Sequence, residues 1–245
     1  MEKITDVREG VIKLLTIREH DIPEFSIEPR KEGEFVDTFV WDGKKIPVFN
    51  MLYDPRIYQM QNWGKRGDNS ALNVYSYYAS DVSLEECIYR ELVIAEALLH
   101  SKIKKITAYV NKSAANMIVL MEDESCANID LGNTMAPGTL NQCQHKLITK
   151  HGMANDRAVG TTVTCNQVNF FRSDSTDTVY YNDDLYYLYG MSEPDVAKAI
   201  AIHAILTGLE QAGDWTERDE RCRAGVKAVF ESDKRGGSVA LSEVL

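Results

Sequence analysis

His145 to Thr164 reads HKLITKHGMANDRAVGTTVT, and this stretch decides the fold. Apolar and polar residues alternate through its first part, His151-Gly152 supplies a tight turn, and Asn155-Asp156-Arg157 starts the way back. The pattern is strand, turn, strand, with Asp156-Arg157 as a buttress of the hairpin. The same period of two runs through the segments around it: KIKKITAYVN from Lys102, ANMIVLMED from Ala115, SCANIDLG from Ser125, QVNFFRS from Gln167 and DTVYYN from Asp177. Alternation with short turns predicts an antiparallel sheet with helices on one face.

The helices are equally legible. Ser83 and Glu86 form an S-x-x-E capping box, in which each satisfies the other's free amide. The helix that follows, about 84–99, carries Leu84, Cys87, Ile88, Leu92, Ala95 and Leu99 as one apolar stripe. Ser192-Glu193-Pro194-Asp195 starts a second helix, 193–209, that is apolar almost all round and therefore buried. A third helix starts at Thr216, with Ala224, Val226, Val229 and Phe230 as its apolar positions, and ends at Gly236-Gly237. Nearer the N-terminus, GVIKLLTIRE (10–19) alternates imperfectly and is read as a strand, and 20–80 as an irregular, aromatic-rich insertion. Within it, Trp41-Asp42-Gly43-Lys44 is a hairpin signal, and Trp63 to Asn69 is a loop by composition. Without a repeat or a flexible linker, the expectation is a single α+β domain over 1–245.

Composition narrows the function. The 245 residues carry a net charge of −10, against the clustered Lys and Arg of a nucleic-acid footprint and against docking on anionic membranes. No apolar run approaches the ~20 residues of a membrane helix. MEKITDVREG has no signal-peptide core, and the five cysteines (Cys87, Cys126, Cys143, Cys165, Cys222) lack C-x-x-C spacing. A reducing, cytoplasmic setting is expected. Cys143-Gln144-His145 with His151 matches no zinc pattern, so no metal is expected.

The order and spacing of these segments resemble the C-terminal substrate and oligomerisation domain of the Gfo/Idh/MocA (glucose–fructose oxidoreductase/inositol dehydrogenase) family. Three stretches carry the resemblance: VIKLLTIREH as the entry strand, the helix 84–99 with KIKKITAYVN, and Glu122 to Val239 with the HGMANDR hairpin. It implies a mostly antiparallel sheet with helices on one face and an open face that packs against another subunit. It also implies an NAD(P)-dependent reaction on a sugar, inositol or similar polyol. The departures are specific. There is no G-x-G-x-x-G, the turn that lets backbone amides approach a dinucleotide pyrophosphate, and no Glu-Lys-Pro, which supplies the family's catalytic lysine. The N-terminal Rossmann domain of the family is therefore expected to be missing, and this chain alone is expected to bind no cofactor, meeting NAD(P) only through a partner.

The family's acid/base pair, Asp and His four apart on the first helix, aligns with Glu86 and Arg90. Arginine stays protonated and is a poor proton shuttle, although it can grip a hydroxyl, carboxylate or phosphate. The plainer reading is a capping and ion-pair arrangement. Arg18-Glu19-His20 stands where the corresponding strand in relatives leads to the substrate cleft, or is a surface ion pair. Trp63, beside Lys65 and Arg66, is a sugar-stacking candidate or an interface aromatic. The substrate-binding candidates are thus Arg18, His20, Trp63 and Arg90, and the catalytic candidates Glu86, His20 and His145. Three functions fit: an accessory or small subunit of a split oxidoreductase, in a homo- or hetero-oligomer with a nucleotide-binding subunit; a carbohydrate-binding or regulatory module without chemistry; and a cofactor-independent lyase or isomerase on an oxidised sugar, using His20 with Glu86 or His145.

Overall fold

A computed structural model describes residues 3–64, 69–156, 167–172, 175–180 and 184–245. Lys65, Arg66, Arg157 and Cys165, named above, lie outside them. The class is α+β, as the sequence predicts. The chain divides into two compact units, residues 1–55 with 181–219 and residues 56–180 with 220–245, where the sequence reads as one domain.

The first unit corrects the reading of the N-terminus. Residues 10–19 are not a strand: Val7–Ile17 form helix α1. The Asp6 carboxylate accepts a hydrogen bond from the Glu9 N–H (2.8 Å), and Gly10, Val11, Leu14 and Leu15 are buried. That spacing is helical, and it won over the imperfect alternation. α1 packs on α5 (Glu193–Leu206). Gly10 permits the approach, since a Cβ there would stand 2.8 Å from Met191 Cε and 3.3 Å from Ala199 Cβ.

The segment 20–80 is not irregular either. β1 (Phe25–Glu28), β2 (Thr38–Trp41) and β3 (Lys44–Pro47) make a small antiparallel sheet. Asp42 and Gly43 turn the hairpin with φ of 50° and 69°, the left-handed pair that matches strand twist. A short 3-10 turn, Asn50–Tyr53, then packs on α5. Phe49 and Tyr53 meet Trp215, from the start of α6 (Ala212–Arg235), at 5.1 and 6.3 Å between ring centroids. Lys198, which interrupts the apolar run of α5, is paired with Asp37. The short helix α4 (Asp184–Tyr189) precedes α5.

The second unit is built on a nine-stranded sheet. α2 (Pro55–Gly64) leads to β4 (Asn69–Ala79), then α3 (Leu84–Leu99), β5 (Ile103–Val110), β6 (Ala114–Met121), β7 (Cys126–Met135), β8 (Gln142–Thr149), β9 (Gly152–Asn155), β10 (Gln167–Phe171), β11 (Thr176–Tyr180) and, after α6, β12 (Val239–Ala240). The strand order is β11-β10-β9-β8-β4-β7-β6-β5-β12. Every adjacent pair is antiparallel except β4 with β7, where Leu72 lies beside Ala127 and Val74 beside Ile129. β4, α3 and β5 thus form a crossover between parallel strands, with β7 and β6 returning to fill the gap, a split βαβ arrangement.

The alternation places Leu72, Val74, Ser76, Tyr78, Ile106, Ala108, Met117, Val119, Ala127, Ile129 and Leu147 inward, all buried. α3 lies on that face and is buried on nearly every side. Ser83 Oγ accepts from the Glu86 N–H at 3.1 Å, the N-terminal half of the predicted box. The later part of α6 joins α3. A Cβ at Gly225 would stand 2.7 Å from Leu92 Cδ1, and Ser232 Oγ accepts from the Ala108 N–H at 2.9 Å. The opposite face exposes Tyr75, Tyr77, Tyr109 and Ile118.

Candidate functional site

On the helix-covered face of the sheet, four ionisable side chains meet. α3 brings Glu91, β4 brings Tyr78, β8 brings His145, and the residue after β9 is Asp156. All four are at least 96 % buried. His145 Nδ1 lies 2.6 Å from Asp156 Oδ2, and His145 Nε2 lies 2.9 Å from Glu91 Oε2. The other Asp156 oxygen accepts the His145 backbone N–H at 2.7 Å, and the Tyr78 hydroxyl donates to Glu91 Oε1.

Both ring nitrogens of His145 face carboxylates, which accept only, so the ring is an imidazolium donating from each side. Burial alone would push the imidazole pKa down. The charges of Asp156 and Glu91 more than offset that and hold it well above its ordinary value. Burial would raise Glu91, but the imidazolium, the Tyr78 hydroxyl and the Arg90 charge keep it lowered. Tyr78 is raised well above its usual value by burial and by the Glu91 charge. Two carboxylates, one imidazolium and the neighbouring guanidinium balance the local charge, which is what lets ions sit in a core.

Both ring nitrogens are thus engaged by carboxylates inside the core. As a general base His145 would need a nitrogen lone pair, and each nitrogen is donating. Arg90, read from the sequence as a substrate grip, contributes its charge to Glu91, Tyr78, Cys87 and Cys143. Glu86 is half-buried at the first turn of α3, and its charge is felt at Cys87, whose thiol is pushed up to about 12, chiefly by burial. Trp63 is 5 % exposed. It stacks on Phe170 at 4.8 Å between centroids, with the Arg172 guanidinium 5.3 Å from its ring, so it is packed inward. Arg18 and His20 belong to the first unit, at the exposed end of α1, where His20 meets His203 edge-on at 5.8 Å.

Sequence reasoning missed Glu91, Tyr78 and His203. A signal for Glu91 existed: it stands three residues after Ile88 and four after Cys87, a carboxylate on the apolar stripe. The first unit also carries a cleft of about 600 Å3 whose lining includes Glu24, Phe25, Trp41 and Asp42. No group of three or more His, Cys, Asp or Glu is placed to hold a metal ion among the described residues. No helix among them is long and apolar enough to cross a membrane.

The chain shares its fold with solved NAD-binding oxidoreductases. An NAD-binding oxidoreductase from Klebsiella pneumoniae superimposes with a TM-score of 0.63 at 14% identity, over 79% of this chain and 65% of that one. Levoglucosan dehydrogenase, in complex with NADH and levoglucosan, gives 0.61 at 10% identity, over 79% and 65%. An oxidoreductase from Agrobacterium radiobacter, in complex with NAD+, L-tartaric acid and magnesium, gives 0.60 at 12% identity, over 98% and 71%. The chain thus spans less than two thirds of the length of the first two. No protein-family model and no curated protein matches the sequence.

A dinucleotide needs a glycine-rich turn from strand to helix. The helices with described starts follow Asp6, Asp54, Ser83, Ser192 and Gln211, and none of these turns is rich in glycine. Among the described residues, no strand-to-helix turn of that kind precedes a helix.

Proposed function

We propose that this chain is a substrate-domain homologue acting as an accessory or small subunit of an NAD(P)-dependent oxidoreductase. A nucleotide-binding partner chain supplies the cofactor, and the substrate is a sugar or polyol. One observation carries the reading: the fold matches oxidoreductases solved with NAD+ or NADH, over most of this chain, while the described residues offer no cradle for the dinucleotide. The levoglucosan dehydrogenase among the fold matches favours a carbohydrate-like substrate. Hydride transfer then belongs to the partner's cofactor, and this chain contributes shape and hydrogen bonds. The exposed sheet face with Tyr75, Tyr77, Tyr109 and Ile118 suits a homo- or hetero-oligomeric contact.

The test is co-purification of the chain from its own cell lysate with mass spectrometry, followed by NAD(P)-linked assays of the recovered pair on sugars and polyols. Stoichiometric recovery of a nucleotide-binding polypeptide whose activity depends on this chain supports the reading. Recovery of the chain only with itself sinks it.

A carbohydrate-binding module without chemistry is the second reading, favoured by the Trp41 cleft. An aromatic ring beside the carboxylates Glu24 and Asp42 is suited to a sugar's apolar face and hydroxyls. It predicts saturable quenching of tryptophan fluorescence by sugars, abolished in Trp41→Ala, with no cofactor present.

A further inference from the structure

His203 sits in the last turn of α5 and is 2 % exposed, yet its Nε2 has no hydrogen-bond partner. Buried polar atoms are paired as a rule, and an exception in a folded protein asks for an explanation. The exposed His20 ring meets it edge-on at 5.8 Å, and the charge of Arg18, two residues before His20, is felt at the imidazole. Lys198, on the same helix, is held by Asp37, and the 3-10 turn packed on α5 brings no ionisable side chain apart from Tyr53.

The backbone around the cluster is already satisfied. Arg18, Glu19 and His20 donate their N–H groups to the carbonyls of Leu14, Thr16 and Leu15 at the end of α1. Thr207 N–H and Oγ1 both donate to the His203 carbonyl, at 3.0 and 2.8 Å, and Gly208 and Glu210 cap Ile205 and Ala204. These carbonyls are thereby satisfied. The cluster holds a guanidinium and two imidazoles, with the exposed carboxylates of Glu19 and Asp21 on either side of His20 in sequence, and among the described residues Arg18 is ion-paired with neither. We infer that Arg18, His20 and His203 form a receptor for a small oxyanion, a carboxylate or a phosphate, reached when the exposed His20 ring swings aside. Arg18 supplies a planar fork and a permanent charge, and His203 Nε2 supplies the inner donor.

The receptor couples binding to a proton. Burial, with help from Arg18 and His20, pushes His203 down to about 4, so the ring is neutral near pH 7. A bound anion favours the imidazolium and raises that value. Affinity therefore increases as pH falls from 7 toward 5.

This inference does not rest on the partner-subunit reading, because its test needs only the purified chain. Ring 15N–1H spectra of its five histidines are followed while acetate, in one arm, and inorganic phosphate, in the other, are added at pH 5.5 and 7.5. The expected result is a saturable shift of the His203 resonances with at least one anion, tighter at pH 5.5, and weakened about tenfold by Arg18→Ala. The arm that saturates identifies the anion class. No saturable shift at His203 with either anion, or a shift that Arg18→Ala leaves unchanged, overturns the proposal. Arg18 is exposed, so this variant keeps the fold even if His203→Gln does not.

Discussion

His145 Nε2 stands 2.9 Å from Glu91 Oε2, joining β8 to the middle of α3 across 54 positions of sequence. The bond is fully buried, and Asp156 holds the other side of the same ring. Helix, central sheet and hairpin are thus tied at one imidazolium. Ions in a core are tolerated only while every partner is present. His145→Ala strands two buried carboxylates and is expected to cost about 3–5 kcal/mol in urea unfolding. Glu91→Gln keeps the shape and removes one of the two charges, so it is expected to cost less. Equal losses from the two variants would show that packing, not charge, holds the network.

The same network fixes a pH window. His145 is raised in the native state, so its contribution is complete below the unfolded value of about 6.5 and is lost as pH rises through the native one. Glu91 is lowered, so its contribution is present above about 4.5 and is lost as pH falls through its native value. Together they place their largest stabilisation between about pH 4.5 and 6.5. Urea midpoints measured from pH 4 to 10 should decline on the alkaline side. His145→Gln should flatten that decline, and an unchanged alkaline limb would remove His145 as its cause.

A second ion pair, with its carboxylate buried, ties α3 to α6. Arg221 Nε and Nη2 meet the two Glu96 oxygens at 3.1 and 3.0 Å, and Glu96 Oε1 also accepts the Ile103 N–H at 3.1 Å. Arg221→Met removes this guanidinium from a carboxylate that is 2 % exposed. About 3 kcal/mol should be lost. The double variant Glu96→Leu/Arg221→Met should recover much of it, because the desolvated charge is gone. A double-mutant cycle with no coupling between the two sites would sink this account.

The strands from β5 onward were legible in the sequence because they alternate, as Ile106, Ala108, Met117 and Val119 show, whereas the central strand β4 fell in the stretch read as irregular. The hairpin at Asp42-Gly43 was legible because that pair has few alternatives. α1 was not, since Val11, Leu14 and Leu15 satisfy a helical stripe while the flanking residues mimic a strand. The parallel β4–β7 pair was hidden because strand order depends on contacts distant in sequence. Glu91, Tyr78 and His203 were passed over because each looks like an ordinary member of its element. Their meaning comes from partners that only the folded chain brings together: His145 for the first, Glu91 for the second and the end of α1 for the third.

Gly152 opens β9 and offers the sharpest test of that hairpin. Its φ is +135°, a conformation side chains rarely adopt, and a Cβ there would fall 2.0 Å from the Phe171 carbonyl oxygen. The obstacle is backbone and cannot rotate away. Gly152→Ala must therefore displace β10, which pairs Phe171 with Met153 and Phe170 with Ala154. A loss of about 3 kcal/mol or more is expected, with amide exchange speeding up in β9 and β10 first. Gly43 is the control: its φ is +69°, and nothing lies within 4 Å of a Cβ. Gly43→Ala should cost only the ~1–2 kcal/mol of a left-handed side-chain residue and leave exchange in β9 and β10 unchanged. Similar losses in the two variants would mean that strain, rather than the Phe171 carbonyl, sets the cost at Gly152.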